Sequence, residues 1–271
     1  MPETERRPWN PLGALQFFRS HEGSSRTILP LVSFLLAVAP MAHAGPPFVT
    51  DDPEPVEYRH WEVYLASQTM HTPDDTSGTL PHVEVNYGLV PNLQVHLIAP
   101  EAFDSPAGAP RQFGYGNTEL GIKYRFLAES SSSPEIAVFP LVEVPTGDRS
   151  KGLSDGHTQV FLPVWLQKNF GPWTTYGGGG YWINPGSGNR DYWFLGWLVQ
   201  YQVLKNLAAG VEVFHQTPQT RRSGSTSQVN FGVTWDLSDT THILASAGPA
   251  IQGPRGYQTY FAFQLTFGPE K

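Results

Sequence analysis

The sequence has 271 residues, and its 24 acidic against 17 basic side chains give a formal net charge of −7. The acidic balance argues against nucleic acid as a partner, because phosphate binding requires a basic face. The absence of cysteine excludes disulfides and thiolate metal sites. Long helices are not expected, because 27 glycines and 25 prolines accompany the lack of a sustained 3.6-residue apolar period.

The N-terminus carries the pattern of an export signal. Arg19 and Arg26 precede an apolar run over residues 28–39, and Ala42 and Ala44 supply the small residues of a cleavage site. The run is shorter than the roughly 20 residues of a spanning helix. We therefore predict a signal peptide with an extended n-region over residues 1–44 and export across the inner membrane.

The rest of the chain consists of segments in which apolar and polar residues alternate, separated by turn signals. We place them at residues 58–70, 79–87, 92–100, 114–126, 135–144, 157–169, 173–183, 191–203, 207–217, 226–237, 241–250 and 257–267. Segments of about ten residues match the length of a tilted strand that crosses a bilayer. A propeller would need four short strands in each repeat of about 40 residues, and a soluble sandwich is the other open alternative.

The last segment shows the alternation most clearly. Its odd positions, from Tyr257 to Phe267, are mainly aromatic, while Gln258, Gln264 and other mostly polar residues occupy the even ones. Successive side chains of a strand point to opposite faces, so one face is aromatic and the other mostly polar. The aromatic side chains that we predict to face lipid as interfacial girdles are Trp193, Trp197, Tyr201, Trp235, Phe261, Phe263 and Phe267. The segment 157–169 is ambiguous, because both its faces are apolar.

The connections between segments are alternately short and long, as in outer-membrane barrels. We therefore predict an all-β fold: a transmembrane antiparallel up-and-down β-barrel of about 12 strands over residues 58–267, with a tail at 268–271. Both ends then lie on the periplasmic side. The proline-rich, acidic residues 45–57 are expected to lie in the periplasm or to form a partial plug in the barrel mouth.

The polar face of the strands carries charges that cannot face lipid cheaply, since a basic group at mid-depth costs roughly 2–4 kcal/mol. The candidate lumen-lining residues are Glu62, Glu84, Glu119, Lys123, Arg125, Glu143, Glu212, Asp236, His82 and His96. Two interpretations stay open. The charges line a polar pathway, or they fill a narrow barrel as ion pairs of Glu119 or Glu143 with Lys123 or Arg125. His82 and His96, on neighbouring strands, are expected to be close enough to meet.

Other motifs carry little chemistry. No H-E-x-x-H or G-x-S-x-G motif occurs, so we expect neither an enzyme nor a bound metal or cofactor. The acidic loop over residues 145–156 and the Asp51-Asp52 pair lack EF-hand spacing, which favours solvated turns. Glycines in residues 177–180 and at Gly196 are expected to let adjacent strands curve.

Several segments together resemble a known family. They are residues 45–56 (GPPFVTDDPEPV), 86–89 (NYGL), 116–124 (GNTELGIKY) and 144–148 (VPTGD). These resemble the outer-membrane transporters of the "MetA-pathway of phenol degradation" family, and the resemblance covers residues 45–267. It implies a β-barrel channel, and it carries no substrate residues onto this chain. One departure is the C-terminus, where four residues follow the aromatic Phe267.

We expect the chain to be a monomeric or trimeric barrel in a Gram-negative outer membrane that lets small organic solutes, aromatic or hydrophobic ones among them, pass without an energy source. The expected partners are the lipid bilayer and lipopolysaccharide, the barrel-assembly machinery and the solutes. A non-conducting scaffold barrel and an outer-membrane lipid hydrolase are the alternatives.

Overall fold

The computed structural model describes residues 47–269, so the predicted signal peptide and the last two residues of the predicted tail lie outside the described residues. One sheet accounts for nearly all of the structure. Its strands are β1 (Trp61–His71), β2 (Asp75–Val90), β3 (Leu93–Pro106), β4 (Gln112–Tyr115), β5 (Thr118–Leu127), β6 (Glu135–Val138), β7 (Leu141–Val144), β8 (Gln159–Phe170), β9 (Trp173–Ile183), β10 (Tyr192–Leu204), β11 (Leu207–Gln216), β12 (Thr226–Ser238), β13 (Thr241–Gln252) and β14 (Tyr257–Phe267). A single 3₁₀ turn, Arg149–Lys151, is the one helical element in the described part of the chain. No helix among these residues has the length and apolarity needed to cross a membrane.

The sheet closes on itself. Every strand pairs antiparallel with its neighbours, β1 pairs with β14, and β3 pairs with β5. β4 and β5 are successive parts of one wall strand, and so are β6 and β7, so the wall has twelve crossings. Closure leaves no long unpaired edge. The predicted 12-strand up-and-down barrel is confirmed.

The alternation of side chains sorts them between the two faces of this wall. Phe261 is 54% exposed on the outside, whereas Gln264 of the same strand is fully buried inside. The predicted girdle aromatics are all exposed on the outer face, as a lipid-facing surface requires. The polar row therefore faces the lumen, which is the arrangement that the sequence pattern predicts.

The strand bounds depart from the prediction at two breaks and two loops. Phe139 and Pro140 separate β6 from β7, because proline has no N–H to give to the ladder. Gly116 and Asn117 separate β4 from β5. Two connections between predicted segments, before residues 79 and 114, are partly strand, since β2 and β3 stay paired out to Asp75 and Pro106.

Residues 47–57, called the N-terminal segment below, cross the lumen from one side of the wall to the other. The hydroxyl of Ser246 on β13 donates to the carbonyl of Pro47 at 2.5 Å. At the other end, the main-chain N–H of Val56 donates to Oε1 of Gln94 on β3 at 2.9 Å. The barrel interior is therefore divided by its own chain.

Candidate solute pathway

A cavity of about 1500 Å³ lies between the N-terminal segment and the wall. Asn92 and Thr240, which belong to the short turns, line one end of it together with Phe267 of the last strand. The cavity therefore reaches the short-turn end of the barrel, where Trp61 of β1 pairs with Phe267 of β14. Its deeper lining includes Phe161 and Trp165, so it changes character along its length.

One side of the cavity carries ionisable side chains from β1, β2, β3 and β5. We call it the ionisable wall, and its members are Glu62, Glu84, His96, Glu119 and Lys123. They occupy alternate positions on their strands, so the period-2 pattern aims all of them inward. Lys123 is 4% exposed, and its Nζ lies 3.1 Å from Oδ1 of Asp51 and 3.3 Å from Oδ1 of Asp52.

Asp51 lies in the N-terminal segment and faces the cavity beside this lysine. Burial raises the pKa of the Asp51 carboxyl to about 6, even though Lys123 draws it the other way. Removing a carboxylate from water disfavours its charged form, and here that effect exceeds the attraction of the lysine.

The two candidate histidines meet through a carboxylate rather than directly. His82 Nε2 lies 3.7 Å from Oε2 of Glu84, and His96 Nδ1 lies 3.6 Å from the other oxygen of the same carboxylate. His96 Nε2 then lies 3.1 Å from Oε1 of Glu119. The side-chain amide of Asn86 donates to Glu84 at 2.8 Å. These groups form a continuous polar chain across three neighbouring strands.

The ion pairs named under the second interpretation, between Glu119 or Glu143 and Lys123 or Arg125, are not found among the described residues. Lys123 binds the N-terminal segment, and Arg125 pairs with Glu135 of β6 at 3.1 Å. Glu143 accepts from Asn117 Nδ2 at 2.6 Å. The partners come from an irregular segment and from strand register, neither of which a local pattern encodes.

The other candidates differ in where they lie on the inner face. Glu62 accepts a hydrogen bond from the Tyr64 hydroxyl at 2.8 Å inside the cavity. Glu212 is fully buried on β11 against the N-terminal segment. Asp236 lies near the short-turn end of β12 and accepts from His242 Nδ1 at 2.7 Å. The structure thus brings together the candidates on β1 to β5, and it separates them from Glu143, Glu212 and Asp236.

The opposite side of the lumen is aromatic, and the sequence pattern did not reveal it. We call it the aromatic wall: Phe161 and Trp165 of β8, Trp182 of β9, Phe194 of β10 and Phe214 of β11. The Phe161 and Trp182 rings are stacked at 4.8 Å, and the Phe161 and Trp165 rings meet edge to face at 6.3 Å. Such pairs add to the stabilisation from burial.

A signal for this wall was present in two strands. In β8 both faces are apolar, and in β10 inward Phe194 alternates with outward Trp193 and Leu195. A strand that is apolar on both faces has to bury its inner face against something other than water. In this barrel the inner faces of β8 to β11 pack against each other.

Gly196 of β10 has a role that the expectation of strand curvature missed. A Cβ built at this position would overlap the hydroxyl of Thr50 in the N-terminal segment. Gly210 of β11 and Gly232 of β12 face the ring of Phe48 in the same way. These glycines give the wall room for a second layer of chain.

The lining can accommodate an organic solute with an apolar ring and a polar or charged group. Phe139 and Trp165 offer ring surfaces at the deep end of the cavity, and the ionisable wall offers hydrogen-bonding groups along its side. Among residues 47–269, no cluster of three or more histidine and acidic side chains is arranged to hold a metal ion.

A family model described as MetA-pathway of phenol degradation matches residues 67–267. The fold is similar to that of the COG4313 outer membrane channel from Pseudomonas putida F1, with a TM-score of 0.65 and 15% identity over 80% of this chain and 98% of that one. It is also similar to KdgM porin, with a TM-score of 0.54 and 10% identity over 76% of this chain and 99% of that one. NanC porin gives a TM-score of 0.54 and 6% identity over 75% of this chain and 98% of that one. The sequence matches no curated protein.

Proposed function

This chain belongs to the MetA-pathway of phenol degradation family, and on that premise we propose that it is an outer-membrane channel for the passive passage of small organic solutes. The observation that carries the proposal is the cavity of about 1500 Å³, whose lining joins rings of the aromatic wall to carboxylates and histidines of the ionisable wall. Such a lining suits solutes that combine an apolar body with a polar group.

We further propose that the barrel lies in a Gram-negative outer membrane. The exposed aromatic outer face is matched to the interfaces of a lipid bilayer, with lipopolysaccharide on its outer leaflet. Export by the predicted signal peptide and insertion by the barrel-assembly machinery belong to the same proposal. We propose no enzymatic activity, because the similar folds belong to channels and porins.

Single-channel recording tests the proposal. The protein is purified from outer membranes, its folding is checked by the heat-dependent shift of its band in SDS gels, and it is added to a planar bilayer. We expect discrete conductance steps that scale with salt concentration. A folded protein that never conducts would contradict the channel.

A non-conducting scaffold is the second candidate, and one observation favours it. The N-terminal segment reaches from Ser246 on β13 to Gln94 on β3, so the barrel is crossed by its own chain. The same recording separates the two functions, since a scaffold stays silent even after the segment is displaced.

A further inference from the structure

The N-terminal segment is attached to the wall by two kinds of contact. One end lies in a fitted seat on β10 to β13, and its middle is held by charges beside the cavity. We propose that the N-terminal segment is a displaceable plug, and that solutes pass only when Val49 and Thr50 leave the seat around Glu212. This inference rests on the proposed function and names the element that regulates it.

The seat is built around a carboxylate that has no basic partner within 4 Å among residues 47–269. Glu212 is fully buried, and it accepts main-chain hydrogen bonds from Thr50 at 2.5 Å and from Val49 at 3.4 Å. Asn230 Nδ2 supplies a third at 2.7 Å. Two of these three donors therefore come from the segment, and main-chain N–H groups serve this carboxylate in place of a cation.

The glycines make the seat specific for a second layer of chain. Thr50 lies so close to Gly196 that any side chain there would overlap its hydroxyl, and a Cβ at Gly232 would lie 2.6 Å from the Phe48 ring. Glycine inside a strand weakens it unless something approaches closely. The wall strands therefore carry glycine where the segment packs against them.

The middle of the segment is held differently. Lys123 Nζ contacts Asp51 and Asp52, and it also donates to the carbonyl of Glu54 at 3.4 Å. The Asp51 side chain is 25% exposed and faces the cavity. Charge contacts beside water are screened by salt more readily than the buried hydrogen bonds of Glu212. The seat is therefore the attachment that persists at high salt, and it has to break before the segment can leave.

The direct test unseats the segment by filling its space. Gly196→Val puts a side chain where Thr50 lies, and Gly224→Val is the matched control, because a Cβ at Gly224 meets open space. Both are made with Thr50→Cys in the full chain, which has no other cysteine. We expect the thiol introduced at position 50 to react at least tenfold faster with a water-soluble reagent in the Gly196 variant, and the time-averaged conductance to be at least twofold larger. The Gly224 control should match Thr50→Cys alone.

A disulfide provides the opposite test within one molecule. An ideal Cβ at Gly196 lies 3.0 Å from Cβ of Thr50, and a shift of about half an ångström brings the pair to disulfide separation. In Thr50→Cys/Gly196→Cys, we expect the oxidised protein to conduct at least fivefold less than the same channels after reduction. The gel shift on heating confirms that each form is folded.

The outcomes separate the plug from the channel. Steps of equal size in the oxidised and reduced forms, with fast labelling of the position-50 thiol in the Gly196 variant, would overturn the plug and leave the channel in place. Slow labelling of that thiol in a folded Gly196 variant would overturn the seat. Silence of every variant with the segment displaced would overturn the channel itself.

Discussion

The two sides of the lumen are built on the same wall geometry and differ in chemistry. The aromatic wall is packed, with Phe161 between Trp165 and Trp182, and its side chains are at most 3% exposed. The ionisable wall faces the cavity and binds the N-terminal segment through Lys123. The aromatic wall therefore stabilises the barrel from within and contributes Phe161 and Trp165 to the cavity lining, whereas the ionisable wall supplies the charged groups of that lining and holds the segment.

The largest expected effect comes from breaking the aromatic wall. Trp165→Ala removes a side chain that is 2% exposed and contacts Phe161 and Phe194, which we expect to cost about 3 kcal/mol of unfolding free energy. Reversible urea unfolding in detergent micelles measures it. Phe170→Ala, at the exposed end of the same strand, is the control and should cost less than about 1 kcal/mol. Equal costs would mean that the wall is not a packed element.

The next largest effect comes from removing the cation of the ionisable wall. Lys123→Met leaves Asp51 and Asp52 without their partner. Because both aspartates are partly exposed, we expect the binding of the segment to the wall to weaken by about 2 kcal/mol, less than on breaking a fully buried pair. Release of the N-terminal segment should then rise roughly 30-fold, seen as faster labelling of the thiol in the Thr50→Cys background. Lys205→Met, in a short turn, is the control. Equal labelling rates in the two variants would show that Lys123 does not hold the segment.

A smaller effect is expected on ion selectivity. Glu62 and Glu84 lie in the cavity lining, and replacing either with glutamine removes a negative charge from it. We expect the ratio of cation to anion permeability to fall about twofold for each variant, since local charge changes ion concentration in a narrow cleft. Reversal potentials in a salt gradient give the ratio. The loop variant Asp74→Asn is the control. If the permeability ratio changes no more in the glutamine variants than in this control, neither glutamate lies in the ion pathway.

The smallest effect is a dependence on pH that arises from Asp51. Burial raises the pKa of this carboxyl to about 6 while the segment is seated, so the seated state binds a proton more tightly than a released, hydrated one. Binding of the segment in its seat is therefore favoured as pH falls from about 6 towards 4. Above about pH 6, Asp51 adds no pH dependence to this equilibrium. We expect less conductance at pH 5 than at pH 7.5, with a smaller difference in Asp51→Asn. A conductance that is higher at pH 5 than at pH 7.5 in the unaltered protein, but not in Asp51→Asn, would contradict the predicted direction.

The same contrast explains how much the sequence can predict. Strand alternation is a local property, so β9 and β14 agree with the predicted bounds to the residue, and the outward aromatics are where the pattern puts them. The breaks at Pro140 and Gly116 were missed, because a period of two does not show where a wall strand is interrupted.

The contacts of the ionisable side chains were the harder part. Thr50 and Glu212 are 162 residues apart in the chain, and only the folded barrel brings an irregular segment onto that carboxylate. Lys123 was placed correctly on the inner face, but its partners lie in the same segment. The aromatic wall was missed for a related reason: an apolar inner face looks like an outer one until closure decides which side is wet.

The most direct test of the two-wall pathway is the block of single-channel current by a solute that fits both walls. Benzylamine carries a ring and a cation, and cyclohexylamine carries the same charge without an aromatic face. We expect discrete conductance steps, concentration-dependent interruptions by benzylamine, and interruptions at least fivefold shorter with cyclohexylamine. Steps that neither amine interrupts would contradict a pathway through the cavity between the two walls.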